Sequence, residues 1–104
     1  MKFLKTYKII IDEDALLDLT EASVWYGKKL DRLGTRFSKQ VKKQINSLKN
    51  NPFICEVRYK DIRCFPIKKF PFMIHYQVDE NHKLIKIYSI FHTSRNPTIW
   101  NDRK

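Results

Sequence analysis

Apolar and polar residues alternate most regularly late in the chain, over Phe70–Val78 and Lys83–His92. In the first stretch Phe70, Phe72, Ile74, Tyr76 and Val78 take every second position; in the second Ile85, Ile87, Ser89 and Phe91 do. A period of two marks a strand with one buried face, so these stretches predict an antiparallel pair closed by Asp79–His82. Setting Val78 opposite Lys83 places Tyr76 opposite Ile85, Ile74 opposite Ile87 and Phe70 opposite Phe91, and the apolar sets coincide. The same register puts Lys69 opposite His92, Met73 opposite Tyr88 and His75 opposite Lys86 on the second face, where functional chemistry is expected.

Upstream the period changes. Phe3–Ile11 predicts a first strand, and Asp12, Glu13 and Asp14 supply an N-cap candidate and first-turn acids for a helix. Ala15, Leu19, Ala22, Tyr26, Leu30 and Leu33 then recur at steps of three and four as one apolar stripe, with Asp18, Glu21, Lys28 and Asp31 off it. Gly34 is expected to end this helix and Thr35 to cap a second. There Phe37, Val41, Ile45 and Leu48 share one side, and Arg36, Lys39, Lys42, Lys43 and Lys49 occupy the rest. A joint of one or two residues makes the pair a helical hairpin, stopped by Asn50, Asn51 and Pro52.

Ile54–Tyr59 and Ile62–Ile67 read as further strands, with Pro66 and Pro71 at strand ends beside a Lys68–Lys69 turn. Arg63 falls on the buried side if that turn has two residues and on the open side if the register differs by one. The tail leaves the last strand at Thr93, makes one helical turn from Pro97, and is fastened by Trp100. The order predicts an α+β fold: an N-terminal strand, an antiparallel helical hairpin, then a mainly antiparallel sheet with both helices on one face. The other face is expected to be partly open and basic.

At 104 residues the chain has room for a single domain over 1–104. Lys and Arg number 21 against 11 Asp and Glu, a net charge of +10. The excess is divided evenly between the two halves, so it belongs to the whole surface and favours an anionic partner. Two cysteines, Cys55 and Cys64, make no disulfide framework, which fits a reducing cytoplasm. The apolar run before Asp12 is too short for a signal peptide or a membrane span. Only Gly27 and Gly34 are present, so there is no glycine-rich phosphate loop. The cysteines and histidines lack paired ligand spacing, and no metal or other cofactor is expected. Paired carboxylates are absent from the sheet strands.

Several short stretches carry a resemblance: Ala22-Ser23-Val24-Trp25-Tyr26, Leu33-Gly34-Thr35-Arg36-Phe37, Asn51-Pro52, Tyr59 to Arg63, Phe70-Pro71-Phe72 with Ile74 and Tyr76, and His92-Thr93-Ser94-Arg95-Asn96-Pro97. In this order the chain resembles the RelE/ParE superfamily of bacterial toxins, and the ParE-like, plasmid-stabilisation branch more than the nuclease branch. The resemblance implies a small basic toxin of a type II toxin–antitoxin pair that inhibits growth. It would be held inactive by an antitoxin wrapped over the helices and the sheet edge. ParE members poison DNA gyrase; RelE members cut messenger RNA in the ribosomal A site without a metal.

Cutting RNA through its own 2′-hydroxyl needs a base, an acid and positive charge at the phosphate. Under that reading His92 serves as acid or base, Tyr88 stacks on a base, and Lys69 and Arg95 grip phosphate. One departure weighs against it: Met73 stands near where nuclease members carry a basic residue, with His75 two positions on as the substitute. The first reading is therefore a toxin that binds a protein such as gyrase and does no chemistry. Arg63, Lys68, His75, Arg95, Trp100 and Trp25 are its candidate target or antitoxin contacts. The alternative is a ribosome-dependent mRNA endonuclease. Beside these stand plainer roles: His92 bonded to the tail, Trp25 and Tyr26 as core, His75 and Lys86 as a solvated pair, and the second helix's lysines as a wet face.

Overall fold

A computed structural model describes residues 6–94. In chain order its elements are β1 (Lys8–Ile11), α1 (Glu13–Lys29), α2 (Leu33–Ser47), β2 (Val57–Tyr59), β3 (Ile62–Pro66), β4 (Phe72–Asp79) and β5 (Leu84–His92). The described strands form one sheet in the order β1-β5-β4-β3-β2. The expected α+β architecture is the one found, antiparallel except where β1 runs parallel to β5.

The apolar stripes of the two helices meet one face of this sheet. From α1 come Ala15, Leu19, Ala22 and Tyr26, and from α2 Phe37, Val41 and Ile45, all buried with Ile74, Tyr76, Ile85 and Ile87. At the centre the Tyr26 and Phe37 rings lie 5.1 Å apart, and each meets Phe70 and Phe72 edge-on. Burying each such side chain contributes about 1.5–3 kcal/mol. The Tyr76 hydroxyl keeps its polar end satisfied by donating to the Pro52 carbonyl at 2.8 Å.

The helix junction differs from the expected one. The first helix ends at Lys29, and Leu30, expected in its stripe, is extended and 58% exposed. Arg32, not Gly34, takes the left-handed conformation, at φ 67°, and α2 begins at Leu33. Gly34 is buried inside the first turn of α2, where a Cβ would collide with the Ser23 carbonyl oxygen. It is there because the helices cross too closely for a side chain. Asp12 stands at the N-cap of α1 but makes no side-chain cap bond.

The central hairpin also departs from its expected register. Val78 lies opposite Ile85, and Asp79 closes the turn by accepting from the His82 backbone N–H at 3.1 Å and pairing with the His82 ring at 2.9 Å. This shift of two keeps each residue on its expected face. Further along, Tyr76 faces Ile87 but His75 faces Ser89, leaving Tyr88 as an extra residue. That bulge exchanges the faces of β5 beyond it. Ile90 therefore joins the helix-facing core, while Ser89 and Phe91, expected there, turn to the other side. Phe72 lies opposite His92 and Met73 opposite Phe91.

The β3–β4 connection is longer than the two residues expected. The Ile67 N–H donates to the Phe72 carbonyl at 2.8 Å, and Lys69 sits between them at φ 72°. Arg63, whose side was open, pairs with Tyr76 and so lies on the helix-facing side. Its guanidinium donates to the Cys55 carbonyl and lies 4.9 Å from the Phe53 ring centre. The first strand starts at Lys8, the fourth at Phe72 and the second at Val57, each later than its apolar run.

Candidate functional site

The sheet face turned away from the helices is not the open basic surface expected. Cys64, Met73 and Phe91 are buried there with Tyr59 packed against them, and His75 is fully buried beside them. His75 lies opposite Ser89, not Lys86, and its Nδ1 is 2.9 Å from the Tyr59 hydroxyl and 3.7 Å from the Cys64 sulfur. Burial, helped by the positive charge of Arg58, pushes the His75 pKa down to about 4. Burial raises Tyr59 to about 12 and Cys64 to about 11. At neutral pH the imidazole, phenol and thiol are all uncharged, and a protonated buried thiol is a poor nucleophile. The pairing of Cys64 with His75 depends on the β3–β4 register, which the alternation of neither strand reveals.

His92 lies on the opposite side of the sheet, with its ring edge-on to Phe72 at 5.2 Å. Its Nδ1 is 3.1 Å from the Ser94 backbone N–H and 2.7 Å from the Ser94 hydroxyl. A backbone N–H only donates, so the Nδ1 lone pair is engaged and the neutral ring carries its proton on Nε2. Beside it, α1 and the ends of β4 and β5 enclose a cleft of about 420 Å³, walled by Trp25, Tyr26, Pro71, Phe72 and Ile90. Asp18 and Glu21 line the same cleft, and Asp18 accepts the Ile90 N–H at 2.9 Å. Trp25 is 54% exposed, with the Lys29 ammonium 4.9 Å from its ring centre.

The remaining candidates are scattered. The Tyr88 hydroxyl donates to Gln77 at 3.0 Å on the face away from the helices. Gln77 is five positions along β4 from Phe72, the partner of His92, which is roughly 17 Å along the strand. Lys69 and Lys68 are exposed in the β3–β4 turn, where the Lys68 backbone N–H donates to Gln44 at 2.8 Å. The Arg63 guanidinium is tied to the Cys55 carbonyl. Arg95 and Trp100 lie outside the described residues. The fold thus brings Trp25 and His92 to one cleft but puts Tyr88 on the other face of the sheet from His92. Among the described residues no three of His, Cys, Asp and Glu could hold a metal ion, and no helix is long and apolar enough to cross a membrane.

A family model described as the ParE toxin of the type II toxin–antitoxin system parDE matches residues 9–97. The chain belongs to that family. Among curated proteins no sequence matches this ParE-family chain. Solved structures share its fold. The chromosomal ParDE system from P. aeruginosa superposes with a TM-score of 0.74 at 16% identity, covering 86% of this chain and 99% of that one. A free arginine-to-alanine double mutant of E. coli RelE gives 0.70 at 18% identity, covering 91% and 92%. The intact E. coli RelBE toxin–antitoxin complex gives 0.66 at 21% identity, covering 86% and 99%.

One surface of the ParE-family chain escaped the sequence reading. Leu16, Leu17 and Val24 are 48%, 58% and 52% exposed, and with Thr20 they line the outer side of α1. The signal was available: at 100° per residue these positions centre on the side of the helix away from Ala15, Leu19 and Ala22. These exposed side chains stand beside Glu13 and Asp14, which with Leu16, Leu17 and Thr20 line a groove on that side.

Proposed function

We propose that this chain is the toxin of a type II toxin–antitoxin pair that inhibits growth in the cytoplasm by binding a protein target such as DNA gyrase. It does so without chemistry of its own, and a cognate antitoxin neutralises it. The observation that carries the reading is the separation of the groups that RNA cleavage would need. His92 is on the helix-facing side with Nδ1 engaged by Ser94, while Tyr88 is bonded to Gln77 on the other side. The acid or base and the ring that would stack beside the cut are thereby on opposite faces of the sheet. Family membership supports the toxin role, and the outer strip of α1 supports a protein partner that lays an amphipathic helix on it.

Expressing the chain alone tests this. Double-strand DNA breaks with intact messages are expected, and truncated messages with stalled translation would overturn the reading in favour of the ribosome-dependent nuclease. Leu17→Lys combined with Val24→Lys should leave the melting temperature within a few degrees but remove neutralisation by the antitoxin. Full neutralisation of that variant would place the antitoxin elsewhere.

A further inference from the structure

Between Asp31 and Glu56 the chain holds six cations, Arg32, Arg36, Lys39, Lys42, Lys43 and Lys49, and no acid. All six are exposed. On α2, Arg36, Lys39 and Lys43 follow one another at steps of three and four, on the side away from the buried Phe37, Val41 and Ile45. At 1.5 Å of rise per residue this row is roughly 10 Å long. Like charges at these spacings repel and weaken a helix. None of the six makes an ion pair with another described residue, and the nearest acid in sequence, Asp31, stands at the Arg32 end of the groove that Lys39 and Lys42 also line.

The neighbouring helix presents a surface of a different kind. The outer side of α1 presents Leu16, Leu17 and Val24, whereas the residues around the α2 row are Thr35, Gln40 and Asn46. Protein interfaces centre on apolar and aromatic anchors and are depleted in lysine. A row of cations among amides and hydroxyls, on a helix that exposes no large apolar side chain, is instead the chemistry of backbone contact to nucleic acid, where cations displace condensed counterions and side-chain amides reach phosphate oxygens. We infer that the outer row of α2, Arg36, Lys39 and Lys43, binds the phosphodiester backbone of nucleic acid without reading its sequence, leaving α1 free for a protein. The inference does not depend on which protein α1 engages, nor on whether the chain poisons gyrase.

The test measures binding of the purified full chain to a short labelled DNA duplex and to a single-stranded RNA of equal length, over a range of salt. Replacing the row by Arg36→Gln, Lys39→Gln and Lys43→Gln should weaken both by about tenfold or more and reduce the log–log salt slope by about 2.7 on the duplex and about 2.1 on the RNA. A difference between those two losses tells which nucleic acid the row prefers. The control removes the same charge elsewhere, with Lys8→Gln, Lys60→Gln and Lys83→Gln. It should cost less than about threefold, because only diffuse attraction is lost. If the control weakens binding as much as the row variant, the effect is net charge and the proposed site does not exist. Binding of polyglutamate but not of nucleic acid would equally overturn the proposal, pointing to an acidic protein. Antitoxin binding, measured on the same row variant, reports separately on the proposed toxin role.

Discussion

Two neighbouring residues of β4, Ile74 and His75, are both fully buried, yet by different means. Ile74 faces the helices and sits in a core of aliphatic and aromatic side chains drawn from both of them and from β4 and β5. His75 points the other way, into a small group of Tyr59, Cys64, Met73 and Phe91. The first cluster buries no histidine, and its Tyr76 hydroxyl is satisfied by the Pro52 carbonyl. The second is closed around an imidazole that must stay neutral, so its burial depends on pH.

Truncation should separate the two sides most clearly. Ile74→Ala is expected near the top of the range of about 2–5 kcal/mol for such changes, and Met73→Ala near the bottom, because the smaller cluster loses fewer contacts. Urea unfolding of the two variants measures this, and equal losses would erase the distinction.

The next largest effect is pH. Unfolded, His75 takes up a proton as pH falls through about 6.5; folded, it resists until about 4. Between those values the unfolded chain binds more protons, so the fold loses up to a few kcal/mol as pH falls, and the His75 contribution is fully present above pH 6.5. His75→Gln should flatten the stability profile between pH 7.5 and 4.5, while Ile74→Ala should lower it in parallel.

A smaller contrast lies between the helices. Gly34→Ala forces a methyl onto the Ser23 carbonyl and should cost about 1–3 kcal/mol. Gly27→Ala meets open space and should gain up to about 1 kcal/mol. Thermal melts of the two variants should move in opposite directions.

Much of the helix-facing side was legible because it is built from repeats. The stripes of Ala15, Leu19, Ala22 and Tyr26 and of Phe37, Val41 and Ile45, and the alternation through Ile74 and Tyr76, need only a period to be read. The other side was not, because it depends on single residues that break a period. Tyr88 inserts a bulge that no alternation announces, and it turns Phe91 and Ser89 away from the side assigned to them. Arg32 takes a left-handed conformation that composition assigns to Gly34. The candidate site inherited these errors. His75 looked solvated because Lys86 was placed opposite it, whereas its true neighbours come from β2, β3 and β5 and meet only once the register is known. His92 could be picked out by its chemistry, but the engagement of its Nδ1 by Ser94 is a matter of geometry.

The central claim is that toxicity comes from binding and not from His92 and Tyr88 acting together on RNA. Its most direct test is the growth inhibition caused by the His92→Ala, Tyr88→Phe double variant, with folding and antitoxin binding monitored alongside. Undiminished inhibition is the predicted result. Loss of inhibition in a variant that still folds and still binds its antitoxin would contradict the account.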